Sequence, residues 1–203
     1  DGEDVLSLPG QRITGLRGAR VAYVFQDPLT TLHPLYPVGD QIAEAVTAHR
    51  PVGRSAARAR AVELMETVGI RDAAQRATAY PHELSGGQRQ RVGIAMALAN
   101  DPEIIIADEP TTALDVTVQA RILDLLQELR KSRGLALLLI THDFGVVAEM
   151  CDRVAVMRHG EIVEQGEACS ILAAPRHEYT KRLIACVPSV GDGAGFLAAL
   201  RPL

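Results

Sequence analysis

Apolar residues fall into two kinds of run along this chain, and the two kinds alternate. Val21 to Phe25 and Ile104 to Ala107 are short, continuous and rich in β-branched residues, which predicts strands. Leu135 to Thr141 is a third such run and is expected to be a buried strand. Between the last two, Val116 to Arg133 places Val118, Ile122, Leu125, Leu126 and Leu129 on one helical face. Lys131 and Arg133 fall in its last turn, where cations complement the helix dipole, and Gly134 follows where a left-handed stop is favoured. A strand-helix-strand unit of this kind predicts an α/β protein on a largely parallel sheet.

From Asp27 to Asn100 the strand signal disappears, and Val38 to His49 and Ser55 to Val68 read as helices, so this block reads as a helical insertion in the α/β body. Further on, Arg153 to Arg158 and Glu161 to Gln165 flank His159-Gly160, which predicts a hairpin at the sheet's edge. His177 to Val187 reads as one more helix, and the glycine-rich run Gly191 to Gly195 as a flexible end. The expected organisation is 1–26 in an α/β core, 27–100 as a helical subdomain, 101–166 returning to the core, and 167–203 as C-terminal helices and tail.

Composition narrows the function classes. With 203 residues, 47% hydrophobic and 23% charged, the chain can bury a core and is neither a disordered tail nor a disulfide-stapled miniprotein. A net charge of -4 and 3% aromatics without Trp argue against a basic grip on nucleic acid or a base-stacking platform, and no nucleic-acid partner is expected. Cys151, Cys169 and Cys186 lie 18 and 17 residues apart, which suits neither a paired framework nor a close zinc motif, so they read as idle thiols. The apolar runs fall well short of the roughly 20 residues a membrane helix needs. The acidic start Asp1-Gly2-Glu3-Asp4 lacks both an initiator Met and a signal pattern, and the chain is expected to be a fragment.

Two motifs carry candidate chemistry. The run Ile104-Ile105-Ile106-Ala107-Asp108-Glu109 delivers two adjacent carboxylates at the C-terminal end of a strand, where ligands bind in open α/β sheets. One acid can hold a hard cation such as Mg²⁺ while the other polarises a water. In Leu84-Ser85-Gly86-Gly87-Gln88, Ser85 and Gln88 have capping-box spacing at the start of a helix expected to run to Ala99. The two glycines cost about 1 kcal/mol each relative to Ala, and an anion approaching the open backbone N–H groups would account for tolerating them.

Taken in this order, these motifs resemble the ATP-binding cassette family. Leu84 to Gln88 is similar to its LSGGQ signature, Ile104 to Glu109 to its Walker B strand, Ala113-Leu114-Asp115 to its D-loop, His142 to its switch histidine and Gln26 to its Q-loop glutamine. The resemblance implies a P-loop NTPase-like fold, ATP and Mg²⁺ as cofactors, and ATP hydrolysis. It implies Glu109 as general base, Asp108 and Gln26 at the metal, Gln26 also at the attacking water, and His142 steadying the γ-phosphate. Ser85, Gly86, Gly87 and Gln88 would meet the ATP held by a second, head-to-tail ATPase subunit, and Asp115 would communicate across that interface.

The family's phosphate cradle, GxxxxGK(S/T), does not occur in the chain, whose two lysines are Lys131 and Lys181. The cradle is expected in sequence not included, and the alternative is a degenerate, non-catalytic cassette supplying the signature in trans. Gln26-Asp27-Pro28-Leu29-Thr30-Thr31-Leu32-His33-Pro34, Tyr80-Pro81-His82-Glu83 and Pro175-Arg176-His177-Glu178-Tyr179-Thr180 are similar to the ATPases of bacterial dipeptide, oligopeptide and nickel importers. That resemblance implies two transmembrane permease subunits, a solute-binding protein, and a place on the cytoplasmic face of the bacterial membrane. Asp27 to Gln41, with Leu32, Leu35 and Tyr36 as apolar contacts, is the expected permease docking surface.

Overall fold

The computed structural model describes residues 2–186. They form two compact units, one ending at Ile140 and one beginning at Thr141. Val187 and the run Gly191 to Gly195 lie outside the described residues.

In the first unit a short helix that the periodicity does not signal, α1 (Gly10–Leu16), leads into β1 (Val21–Val24). Helices α2 (Pro28–Thr31), α3 (Val38–Thr47), α4 (Arg54–Thr67), α5 (Ala73–Arg76) and α6 (Gly86–Ala97) follow, then β2 (Ile104–Asp108), α7 (Val116–Arg133) and β3 (Ala136–Ile140). The three strands pair in parallel in the order β1-β2-β3, with Ala22 opposite Ile105 and Ile105 opposite Leu137. Helix α6 lies against β1, α3, α4 and α7 and so joins the helical block to the sheet. Its Ile94 and Leu98 are fully buried with Ile42, Leu64 and Met65 of the block and with Ile122 and Leu126 of α7. The periodicity of α7 holds, since Ile122, Leu125, Leu126 and Leu129 are buried, and Gly134 closes it at φ 62°.

Ala22, Val24, Ile105 and Ala107 fill the covered face of the sheet, whereas Tyr23, Ile104, Leu138 and Ile140 on the opposite face are exposed. The expectation of a buried third strand is therefore corrected. A continuous apolar run signals burial on both faces only where both are covered, and β3 is an edge strand with alternate residues on the open face. Asp101, at φ 51° between α6 and β2, ties the block to the end of α7. Its carboxylate meets Arg50 at 2.6 Å, Arg60 at 2.9 Å and Arg133 at 2.9 Å.

The second unit contains α8 (Phe144–Met150), β4 (Arg153–Arg158), β5 (Glu161–Glu167), α9 (Ala168–Ala173) and α10 (Glu178–Ala185). The expected hairpin is present, and His159 and Gly160 both take positive φ, 50° and 85°, as a tight primed turn requires. Among the described residues it pairs with no other strand, so it is a separate two-stranded sheet and not an edge of the parallel one. Alternation and turn chemistry specify a hairpin locally but not what lies beside it. Val147, Ala168 and Leu172 form its small core, with Phe144, Val154 and Ile184 packed around. Glu164 of β5 accepts the N–H groups of Arg176 and His177, which anchors the 175–177 segment ahead of α10.

Candidate active site

The parallel register fixes the site. Asp108 ends β2 and Glu109 follows it with φ 43°, held by donating its N–H to the Ile140 carbonyl at 2.9 Å. A left-handed conformation at a glutamate costs about 1–3 kcal/mol and takes Glu109 out of simple strand alternation. Both carboxylates, half-buried, are engaged by side chains from β1 and its exit. Gln26 Nε2 donates to Glu109 Oε2 at 2.8 Å, and Tyr23 Oη donates to Asp108 Oδ2 at 2.6 Å. Thr112 Oγ1 also donates to Glu109 Oε2, at 2.9 Å. The Asp108 carboxylate, by accepting the phenolic hydrogen, pushes the Tyr23 pKa up and keeps it a donor.

A second group forms at the start of α6. The capping box expected from the sequence is present: Ser85 Oγ accepts the Gln88 N–H at 3.3 Å, and Gln88 Oε1 accepts the Ser85 N–H at 2.9 Å. Ser85 is exposed while Gly86 and Gly87 are half-buried. The glycines have a packing reason that the sequence does not reveal. A Cβ on Gly87 would stand 2.5 Å from Val118 Cγ1, and one on Gly86 would stand 3.3 Å from Leu114 Cδ2. Packing against Val118 thus supplies a reason for Gly87 that stands beside the expected anion approach. The same contacts bring the glycines against the segment of Asp115, whose Oδ1 caps α7 by accepting the Val118 N–H at 3.0 Å.

The structure therefore joins Gln26, Asp108 and Glu109 in one cluster and Ser85, Gly86, Gly87, Gln88 and Asp115 in another, linked through Thr112 to Leu114. His142 is exposed and falls in the second unit, two residues past β3. Sequence reasoning missed Tyr23 and Thr112. For Tyr23 the chain carried no signal, because its approach to Asp108 follows from the parallel pairing of β1 with β2, which sets it opposite Ile106, one same-face position before Asp108. For Thr112 the available signal was a hydroxyl three residues after the glutamate. At the expected docking segment, Leu32 is buried and drops out as a contact, whereas Leu35 and Tyr36 are 76% and 57% exposed. Buried Gln41 holds that loop by accepting the His33 N–H and donating to the His33 and Tyr36 carbonyls.

A protein-family model described as ABC transporter matches residues 1–112. A peptidoglycan transport ATP-binding protein of Agrobacterium fabrum is 51% identical over 188 residues, 93% of this chain and 34% of that protein. A putative peptide import ATP-binding protein of Brucella melitensis is 50% identical over 189 residues, 93% of this chain and 56% of that protein. This chain thus spans between a third and just over half the length of these curated relatives. Among solved structures, an ATP-binding cassette captured as a dimer in a post-hydrolysis state with ADP and Pi superposes with a TM-score of 0.69 at 31% identity, covering 80% of this chain and 68% of that one.

Proposed function

This chain belongs to the ABC transporter family, and from that premise we propose that it is the ATP-binding and hydrolysing part of an importer for peptides or related solutes. The observation that carries the reading is the Gln26–Glu109 hydrogen bond at the C-terminal edge of a parallel sheet. It supports a reading in which Glu109 is the general base and Gln26 the reporter of the nucleotide state. Glu109 accepts a proton from the attacking water, with Gln26 and Thr112 fixing its carboxylate, and His142 steadies the terminal phosphate. Gln26 also carries the nucleotide state to α2 and α3 beyond it. Ser85, Gly86, Gly87 and Gln88 meet the nucleotide of a second ATPase subunit, and Asp115 relays closure across that interface.

The donor set suits magnesium. Among the described residues no cluster of three or more His, Cys, Asp or Glu could cage a metal. Asp108 offers a carboxylate with one oxygen tied by a phenol, which fits a cation that keeps its waters and binds one or two carboxylates together with phosphates. Bound Mg²⁺ would neutralise charge developing on the phosphates. Asp108, with Gln26 beside Glu109, would hold it.

Two permease subunits, served by a solute-binding protein, are the proposed membrane partners, at the cytoplasmic face of a bacterial membrane. No helix among the described residues is long and apolar enough to cross a membrane itself. The Gln41-held loop supports docking through Leu35 and Tyr36. In the assembled transporter, Leu35→Ala with Tyr36→Ala is expected to lower uptake while leaving ATP binding intact; unchanged uptake refutes the docking surface.

The test of the whole reading is Glu109→Gln in the complete gene product. ATP turnover should drop at least a hundredfold, the scale of a lost general base, with ATP still bound. Turnover at the parent rate would refute it. The alternative reading is a non-catalytic cassette lending Ser85 to Gln88 to a competent partner. On that reading Glu109→Gln leaves the partner's turnover untouched while Ser85→Arg abolishes it.

A further inference from the structure

The importer reading assigns Asp108 to the metal but gives no task to Tyr23. Tyr23 pairs with Ile106, so its side chain emerges on the face that also carries Asp108, two residues on. Its ring rests against Phe25, with centroids 4.6 Å apart and planes tilted by 47°, which restrains the two torsions that aim the hydroxyl. At 2.6 Å the bond to Asp108 Oδ2 falls in the range of a charge-assisted O–H···O⁻ contact. Tyr23 is 38% exposed, so its hydroxyl could be hydrated at little cost, and a phenylalanine would fill the same space beside Phe25. Packing therefore does not call for the hydroxyl. The contact it makes is to the one carboxylate whose orientation matters to a bound cation.

We propose that Tyr23 is a positioning residue for the metal: its hydroxyl ties up Asp108 Oδ2, locks the carboxylate rotamer, and presents Oδ1 to the water shell of a nucleotide-bound divalent cation. This rests on the importer reading of Asp108. On this proposal Tyr23 acts on the cation through Asp108 and not by ligating it. Without the hydroxyl, Asp108 turns among several rotamers and binds the cation only from some of them, so metal affinity falls while nucleotide affinity in the absence of metal does not.

The test compares the complete gene product with its Tyr23→Phe and Asp108→Asn variants. Free Mn²⁺ is titrated by electron paramagnetic resonance in the presence of ADP, alongside ADP binding in EDTA and thermal melting. For Tyr23→Phe the expected result is Mn²⁺ affinity about three- to tenfold weaker, the worth of one ordinary, partly solvated hydrogen bond, with ADP affinity in EDTA and melting temperature unchanged. A merely structural tyrosine would shift the melting temperature and ADP affinity together, and that result overturns the proposal. So does Mn²⁺ affinity that is unchanged or tighter in Tyr23→Phe while Asp108→Asn loses it. If Asp108→Asn keeps the parent affinity, the assignment of Asp108 itself fails, and the role of Tyr23 with it.

Discussion

Gly87→Ala tests whether the start of α6 is shaped by packing against α7. In an exposed helix the change would stabilise by up to about 1 kcal/mol, and by less here because Gly87 is only the second residue after the Ser85 cap. Against that gain, the new Cβ would stand 2.5 Å from Val118 Cγ1, well inside the 3.5–4.0 Å at which carbon atoms attract. Val118 cannot swing away, because a β-branched side chain in a helix has one strongly preferred rotamer. Nor can its backbone retreat freely, since its N–H is held by the Asp115 carboxylate at 3.0 Å. Overpacking of this kind costs about 1–3 kcal/mol, so the net loss should be about 1–2 kcal/mol. Val118→Ala alone should cost about 1 kcal/mol through lost methyl contacts, and the double variant no more than that, because the clash has gone. The resulting coupling of about 1–3 kcal/mol is measurable in a double-mutant cycle by urea unfolding followed with far-UV circular dichroism. If Gly87→Ala is as stable as the parent, or if the two losses simply add, the packing argument is wrong.

Three further outcomes are expected. Asp101→Asn keeps a residue that tolerates positive φ but removes the charge shared by Arg50, Arg60 and Arg133. Melting temperature should fall by a few degrees at low salt and by much less in 1 M NaCl, where the screening length is about 3 Å; a salt-independent loss would refute the electrostatic account. Glu164 has its pKa held below the ordinary 4.5 by the nearby Thr180 hydroxyl, whose geometry falls short of a full hydrogen bond, and by the N–H groups of Arg176 and His177. Because the folded value is the lower one, this carboxylate stabilises above about pH 4.5 and loses that contribution as pH falls through the folded value, so Glu164→Gln should be less stable than the parent at about pH 6 and the gap should narrow as the pH is lowered. A gap that stays constant or widens on acidification would contradict this. Thr112→Val should lower kcat of the complete protein about five- to tenfold with KM for ATP little changed, and Thr112→Ser should restore it; a KM effect of the same size would point to ground-state binding instead.

Much of the candidate site was legible in the sequence because its determinants are local. A serine three residues before a glutamine makes a capping box wherever a helix starts, and Ser85 and Gln88 do so. Gly134 stops α7 for the same kind of reason, and the apolar face of α7 needs only the helical period. The two acids at the end of an apolar run likewise arrived at the end of a central parallel strand.

What the chain order could not convey depends on contacts between residues far apart in sequence. Tyr23 reaches Asp108 only because β1 and β2 pair in a particular register, and no periodicity along one strand carries that register. Gly87 is required by a methyl group on another helix. The hairpin's separation from the parallel sheet and the exposure of Leu138 and Ile140 turn on what covers each strand, which a hydrophobic run leaves open. Local patterns thus determined which elements form and where the reactive groups lie along them. Tertiary packing decided which of those groups meet, because hydrogen-bond register and steric fit are set between elements rather than within them.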